Sequence, residues 1–192
     1  MIAMLAWWAV LWLPGHAIAR RVSRNDQGGG ALAHVALGYL YSFALLTPVS
    51  VVGYALGWPI AVLTAAVVLA TLAGAVDLAR TRFWQRPRSW SWLDVAWLAA
   101  LVVIVDLAFG AYAGGHTAGD ARLHVARVRV LLDHGFNNWD PYFADHPFSR
   151  VYHTNLYHAL IAAGAQLTGA LAIEAWVWTL PLSASISRRS SL

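Results

Sequence analysis

Four stretches of this chain, Ile2 to Ala19, Ala31 to Leu56, Trp58 to Ala79 and Leu93 to Ala113, are apolar with few interruptions. A helix rises about 1.5 Å per residue, so roughly 20 apolar residues cross a hydrocarbon core about 30 Å thick. Each stretch approaches that length, and within a bilayer a helix is the single-segment structure that satisfies its own backbone. Of 192 residues 59% are hydrophobic, 11% are charged and 11 are Trp, a balance outside that of soluble domains. The spacing predicts an all-α polytopic transmembrane protein. Less regular apolar sequence from Leu156 to Ile186 adds one or two further spans, for about five or six membrane helices in all.

The links between the spans set an orientation. RRVSRNDQGGG and RTRFWQRPRSWSW hold seven of the 13 basic residues, all of which are Arg. Basic loops stay in the cytoplasm. The first helix then starts outside, the second runs outward, the third returns after Gly57-Trp58-Pro59, and the fourth delivers residues 114–155 to the outer face. The expected location is a bacterial inner membrane, with the N-terminus and one large loop extracytoplasmic. Ala17-Ile18-Ala19 fits a small-x-small cleavage pattern, but no basic region precedes it and Arg20-Arg21 follows at once, so the first helix reads as an uncleaved anchor. Trp84, Trp90 and Trp92 flank the inner end of the fourth span as interfacial anchors. Orientation in a bilayer explains the arginine clusters without nucleic acid. The absence of cysteine excludes disulfides, thiolate nucleophiles and cysteine-based zinc sites.

Ionisable chemistry is concentrated in the loop. Between His116 and His158 lie six of the eight histidines and four of the nine acidic residues. Thr117 or Gly119 caps a helix that starts near Asp120, whose carboxylate suits the positive helix N-terminus, and Gly135 stops it after His134. On this interfacial helix, Asp120 to His134, the residues Asp120, His124, Arg127, Leu131 and His134 fall within about 40° of one line. Arg122, Arg129 and Asp133 fall on the opposite side. Two polar stripes fit a helix with one face to water and one to a protein cavity; a solvated helix with i,i+4 pairing of Asp120 and His124 is the alternative.

The rest of the loop, FNNWDPYFADHPFSRVYHTN, alternates Asn, Pro and aromatic residues, with turns at Asp140-Pro141 and His146-Pro147. Trp139, Tyr142, Phe143, Phe148 and Tyr152 serve either as packing and surface anchors or as the lining of a sugar or lipid site. Asp120 with His124, or His146, His153 and His158 together, offer ligands to a divalent metal, but there is no H-E-x-x-H motif or other closed ligand set, and no cofactor is assigned. Within the fourth span Asp106 would cost about 2.5 to 3.5 kcal/mol facing lipid, so it should face protein or a cavity, where it can line the same outward site. Asp77 and Asp94 sit at cytoplasmic helix ends within reach of water or Arg80.

GGHTAGDARLHVARVRVLLDHGFNNWDPYF, followed by YHTNLYHALIAAGAQLTG, resembles the first large extracytoplasmic loop and following helix of GT-C-type membrane glycosyltransferases. Those enzymes show a Gly-Asp, an aromatic residue or His, an Arg, a Leu-rich turn ending in Gly, and later a Tyr-His or Tyr-aromatic pair opening a helix. The start, LWLPGHAIARR, is similar to the Leu-Pro-Gly opening of a bacterial polytopic subgroup. The resemblance implies glycosyl transfer from a sugar on a polyprenyl phosphate to a cell-surface polysaccharide or glycolipid, with the lipid bilayer as surroundings. It places the general base at Asp120 and the cationic support for the departing phosphate at Arg127 or Arg150. His124 orients Asp120 or contacts phosphate, and Asp106 and Asp140 complete the substrate-binding set.

Enzymes of this class are usually longer, so the expectation is an N-terminal portion, with the polar end SASISRRSSL marking a truncation. A non-catalytic membrane scaffold whose outer loop holds another subunit is the rival reading.

Overall fold

The computed structural model describes residues 2–22, 31–81, 120–137, 139–140, 142 and 155–178, and helical positions at 92–93, 95–96 and 99. Its helices are α1 (Ile2–Val22), α2 (Ala31–Leu56), α3 (Ile60–Arg80), α4 (Asp120–His134), α5 (Leu156–Thr168) and α6 (Ala172–Trp178). No strand forms among the described residues. Two helices, from Ala33 to Leu56 and from Ile60 to Arg80, are long and apolar enough to cross a membrane. The expected fourth span and the polar tail lie largely or wholly outside the described residues.

Small residues let the first three helices close on one another. Along α2, Gly38, Ser42, Leu46, Ser50 and Tyr54 are buried at four-residue intervals, a row that winds about 40° around the helix at each step. A β-carbon on Gly15 of α1 would stand 1.8 Å from the Gly38 carbonyl oxygen, so the two backbones meet there. Pro14 lies inside α1 and has no N–H to donate, and the next N–H, of Gly15, turns to the Ser42 hydroxyl at 2.9 Å. Leu40, Leu45 and Val52 of α2 and Leu69, Leu72 and Val76 of α3 remain exposed on the outside of the group.

The helix group has two chemically different ends. At one, Arg21 pairs with Asp77 and Arg20 donates to the Thr81 hydroxyl at 3.1 Å, joining the last turns of α1 and α3. The partner of Asp77 is thus Arg21, not the neighbouring Arg80, because α1 and α3 run in the same direction. At the other end, α2 passes to α3 through Gly57, Trp58 and Pro59, and the Trp58 N–H closes back onto Gly53 O at 3.0 Å.

Among the described residues of the second half, those around Phe136 and Asn155 pack at this turn end. Asn155 caps α5, its side-chain oxygen accepting from the N–H groups of Tyr157 and His158. Gly169, in the left-handed conformation, ends the helix. At about 19 Å, 13 helical residues fall short of a span, so α5 turns at Gly169 and does not continue into α6 as one membrane helix. Over that length its contacts on α1 move only from Trp8 to Met4. The Trp8 and Tyr157 rings lie 5.9 Å apart, the Trp7 indole donates to Leu160 O at 3.1 Å, and the Thr168 hydroxyl lies 3.5 Å from Met4 Sδ. Thr64, near the start of α3, donates to Gln166 Oε1 at 2.8 Å. Hence α5 lies across the ends of α1 and α3, not beside them.

Candidate functional site

The polarity of α4 separates its two stripes. Arg122, Arg129 and Asp133 are exposed, and Arg129 pairs with Asp133 one turn on at 3.5 Å. On the other side Arg127, Val128 and Leu131 are buried and His124 half-buried. The stripe of His124, Arg127 and Leu131 therefore faces protein, while His134, at its end, is exposed.

The end of α4 is fastened to the α2–α3 turn. Gly135 has φ 73°, and a β-carbon there would stand 2.6 Å from Trp58 O, so both the backbone conformation and the space call for glycine. After Gly57 and Gly169, the other glycines at helix ends, the following N–H returns to its own helix. After Gly135 the Phe136 N–H instead donates to Trp58 O at 2.8 Å. The Phe136 ring then meets Tyr54 edge-on, centroids 4.8 Å apart.

Arg127 lies within this joint and is 1% exposed. Its guanidinium donates to Asn137 Oδ1 at 3.2 Å, to Trp139 O at 3.1 Å and to Asn137 O, and its Cζ lies 5.7 Å from the Tyr54 ring centroid. Carbonyl oxygens and an aromatic face meet this buried guanidinium, and the chain folds around it. These contacts give Arg127 the task of shaping residues 135–139. Asp140 Oδ1 accepts from the Tyr142 N–H at 2.8 Å, a local turn. Asp120 is the first residue of α4; Arg150 and Asp106 lie outside the described residues.

One turn along from Asp120, His124 meets a partner that the sequence offers only as a metal ligand. His124 Nδ1 and His158 Nε2 are 2.8 Å apart, joining α4 to the first turn of α5. Trp176 of α6 lies almost parallel to both rings, 4.7 Å from the His124 centroid at 18° and 5.9 Å from that of His158 at 9°. Tyr157 meets Trp176 edge-on at 6.1 Å. Because α5 lies across the helix ends and is not a span, His158 belongs to this junction. Its imidazole is pulled down from 6.5 to about 3, first by burial, then by the neighbouring His124 and the Arg127 charge.

Among the described residues no three His, Asp or Glu side chains gather as a metal site. The His146 and His153 of the expected ligand group lie outside the described residues. Sequence reasoning missed Trp176, Asn137 and Tyr54 as neighbours of the charged stripe. Asn155 carried a readable signal, an Asn directly before an apolar helical run; Trp176 carried none. In comparisons with protein-family models, curated proteins and solved structures, nothing matches this chain.

Proposed function

We propose that this protein is a membrane glycosyltransferase component that handles a sugar carried on a polyprenyl phosphate, at the turn end of its helix group. The observation that carries the reading is the position of Asp120 at the start of α4, one helical turn before His124 in the register of the helix. A carboxylate there serves as the base that takes the proton from an acceptor hydroxyl. His124, one turn further along α4, is held by His158 and Trp176. Since Arg127 donates to Asn137 and Trp139, phosphate support falls to Arg150. The turn end lies opposite Arg20 and Arg21, and the preference of arginine for the cytoplasmic side supports an extracytoplasmic site.

The test is binding and transfer with the chain in lipid nanodiscs. A polyprenyl-phosphate sugar is expected to bind saturably and more tightly than the polyprenyl phosphate alone. Asp120→Asn should keep that binding while lowering sugar transfer by about a hundredfold or more. Equal affinity for both lipids would remove the glycosyltransferase reading, and undiminished transfer by Asp120→Asn would remove the base from Asp120.

The non-catalytic scaffold has one observation in its favour: Arg127 and the His124–His158 pair make contacts within the chain that would hold the loop in shape for a partner subunit. It predicts that both lipids bind alike.

A further inference from the structure

At the arginine end of the helix group, the two α1 arginines are engaged on α3. Arg20 donates to the Thr81 hydroxyl at 3.1 Å, and Arg21 pairs with Asp77. The carboxylate three residues before Arg80 on α3 is thereby taken by a neighbouring helix. Thr81 also serves the last-turn carbonyls. Its N–H returns to Asp77 O at 3.0 Å, and its hydroxyl lies 2.9 Å from Asp77 O and 3.2 Å from Leu78 O. Among the described residues nothing pairs with the guanidinium of Arg80, which is exposed.

Arg80 also ends a row. At 100° per residue, Val76 and Arg80 fall within about 20° of Leu69 around α3, with Leu72 and Ala73 to either side. All five are exposed, Leu69 at 66%. From Leu69 to Arg80 the helix rises about 16 Å, and half of a hydrocarbon core about 30 Å thick is about 15 Å. The row is one leaflet deep, apolar along its length and closed by a cation.

We propose that this row on α3 binds an anionic phospholipid, with an acyl chain along Leu69, Leu72 and Val76 and the headgroup phosphate on the Arg80 guanidinium. Guanidinium and phosphate form a charge-assisted hydrogen bond. A zwitterionic lipid brings a phosphate as well, but its own cation beside Arg80 offsets the attraction; a lipid of net negative charge keeps it. Arg21 is already balanced by Asp77, so the selectivity falls to Arg80. The inference needs α3 to cross a bilayer and is independent of the sugar-transfer reading.

The experiment uses the full chain in phosphatidylcholine nanodiscs, which the absence of cysteine opens to single labels. A bimane on Val76→Cys reports the row one turn from Arg80. A bimane on Ala65→Cys, also exposed and near the other end of α3, reports the opposite leaflet. Each is quenched by brominated phosphatidylglycerol or by brominated phosphatidylcholine. At Val76→Cys the anionic lipid should be preferred about fivefold, the increment expected of one arginine at a membrane surface, and the preference should weaken in high salt. Adding Arg80→Gln should remove it, and adding Arg80→Lys should keep most of it, since Lys meets phosphate as a point charge. At Ala65→Cys the two lipids should quench alike. Equal quenching at Val76→Cys, or a preference that survives Arg80→Gln, overturns the site. The same preference at both labels also overturns it, because attraction to the whole chain's charge would then be the cause. Quenching by neither lipid would take α3 out of the bilayer and the site with it. The comparison of the two labels with Arg80 in place decides if Arg80→Gln fails to fold.

Discussion

His158 couples folding to acidity. Folded, its imidazole takes a proton only near pH 3; unfolded, it does so near the ordinary 6.5. Between these values the unfolded chain binds more protons, so this contribution to stability is complete above about pH 6.5 and is lost as pH falls toward 3. Thermal unfolding followed across that window should show a falling midpoint, and His158→Phe should flatten the slope. Arg127 offers a second test at this scale. Arg127→Ala removes the charged donor from the part-buried hydrogen bonds to Asn137 O and Trp139 O, at an expected cost of about 1.5 to 3 kcal/mol. Arg127→Lys should recover little, because a single ammonium cannot reproduce the fork. Unfolding midpoints and faster proteolysis around residues 135–142 would register both.

Among the elements, α4 was the most legible. Its start at Asp120 and its stop before Gly135 follow from a charge at a helix N-terminus and a glycine after the last turn. The inward turn of its Arg127 was not legible, because the partners that make burial tolerable are carbonyl oxygens on residues 137 and 139, outside the helix. The His124–His158 contact depends on α5 lying across the group, a tertiary arrangement with no local signal. In α1 the helix continues past Ala19 to Val22, with Arg20 and Arg21 reaching Thr81 and Asp77. Gly135→Ala tests the fastening of α4. The left-handed backbone alone should cost about 1 to 3 kcal/mol, with the crowding of Trp58 O added to it. Amide exchange in α4 should accelerate while that in α3 stays slow.

Across the whole molecule, the apolar exteriors of α2 and α3 were readable from hydropathy, since a helix apolar on every side must meet protein or lipid all round. The separation of the arginine end from the histidine end was readable only through loop charge. The absence of cysteine makes that separation directly measurable. In the proposed orientation Tyr142→Cys should react with a membrane-impermeant maleimide added to intact cells, whereas Thr81→Cys should react only after the membrane is opened. The reverse labelling would invert the molecule and place the histidine junction in the cytoplasm.

The hydrogen bond from Trp7 to Leu160 joins residues 153 positions apart. At about 5 to 20 residues per second, a ribosome needs on the order of ten seconds to make the chain between them. During that interval α1 has already emerged, while the helix that covers Met4 and Trp7 does not yet exist. The junction is therefore assembled last, by a late segment closing over an early one, and a pause in synthesis before residue 155 would leave the first helix waiting without its cover.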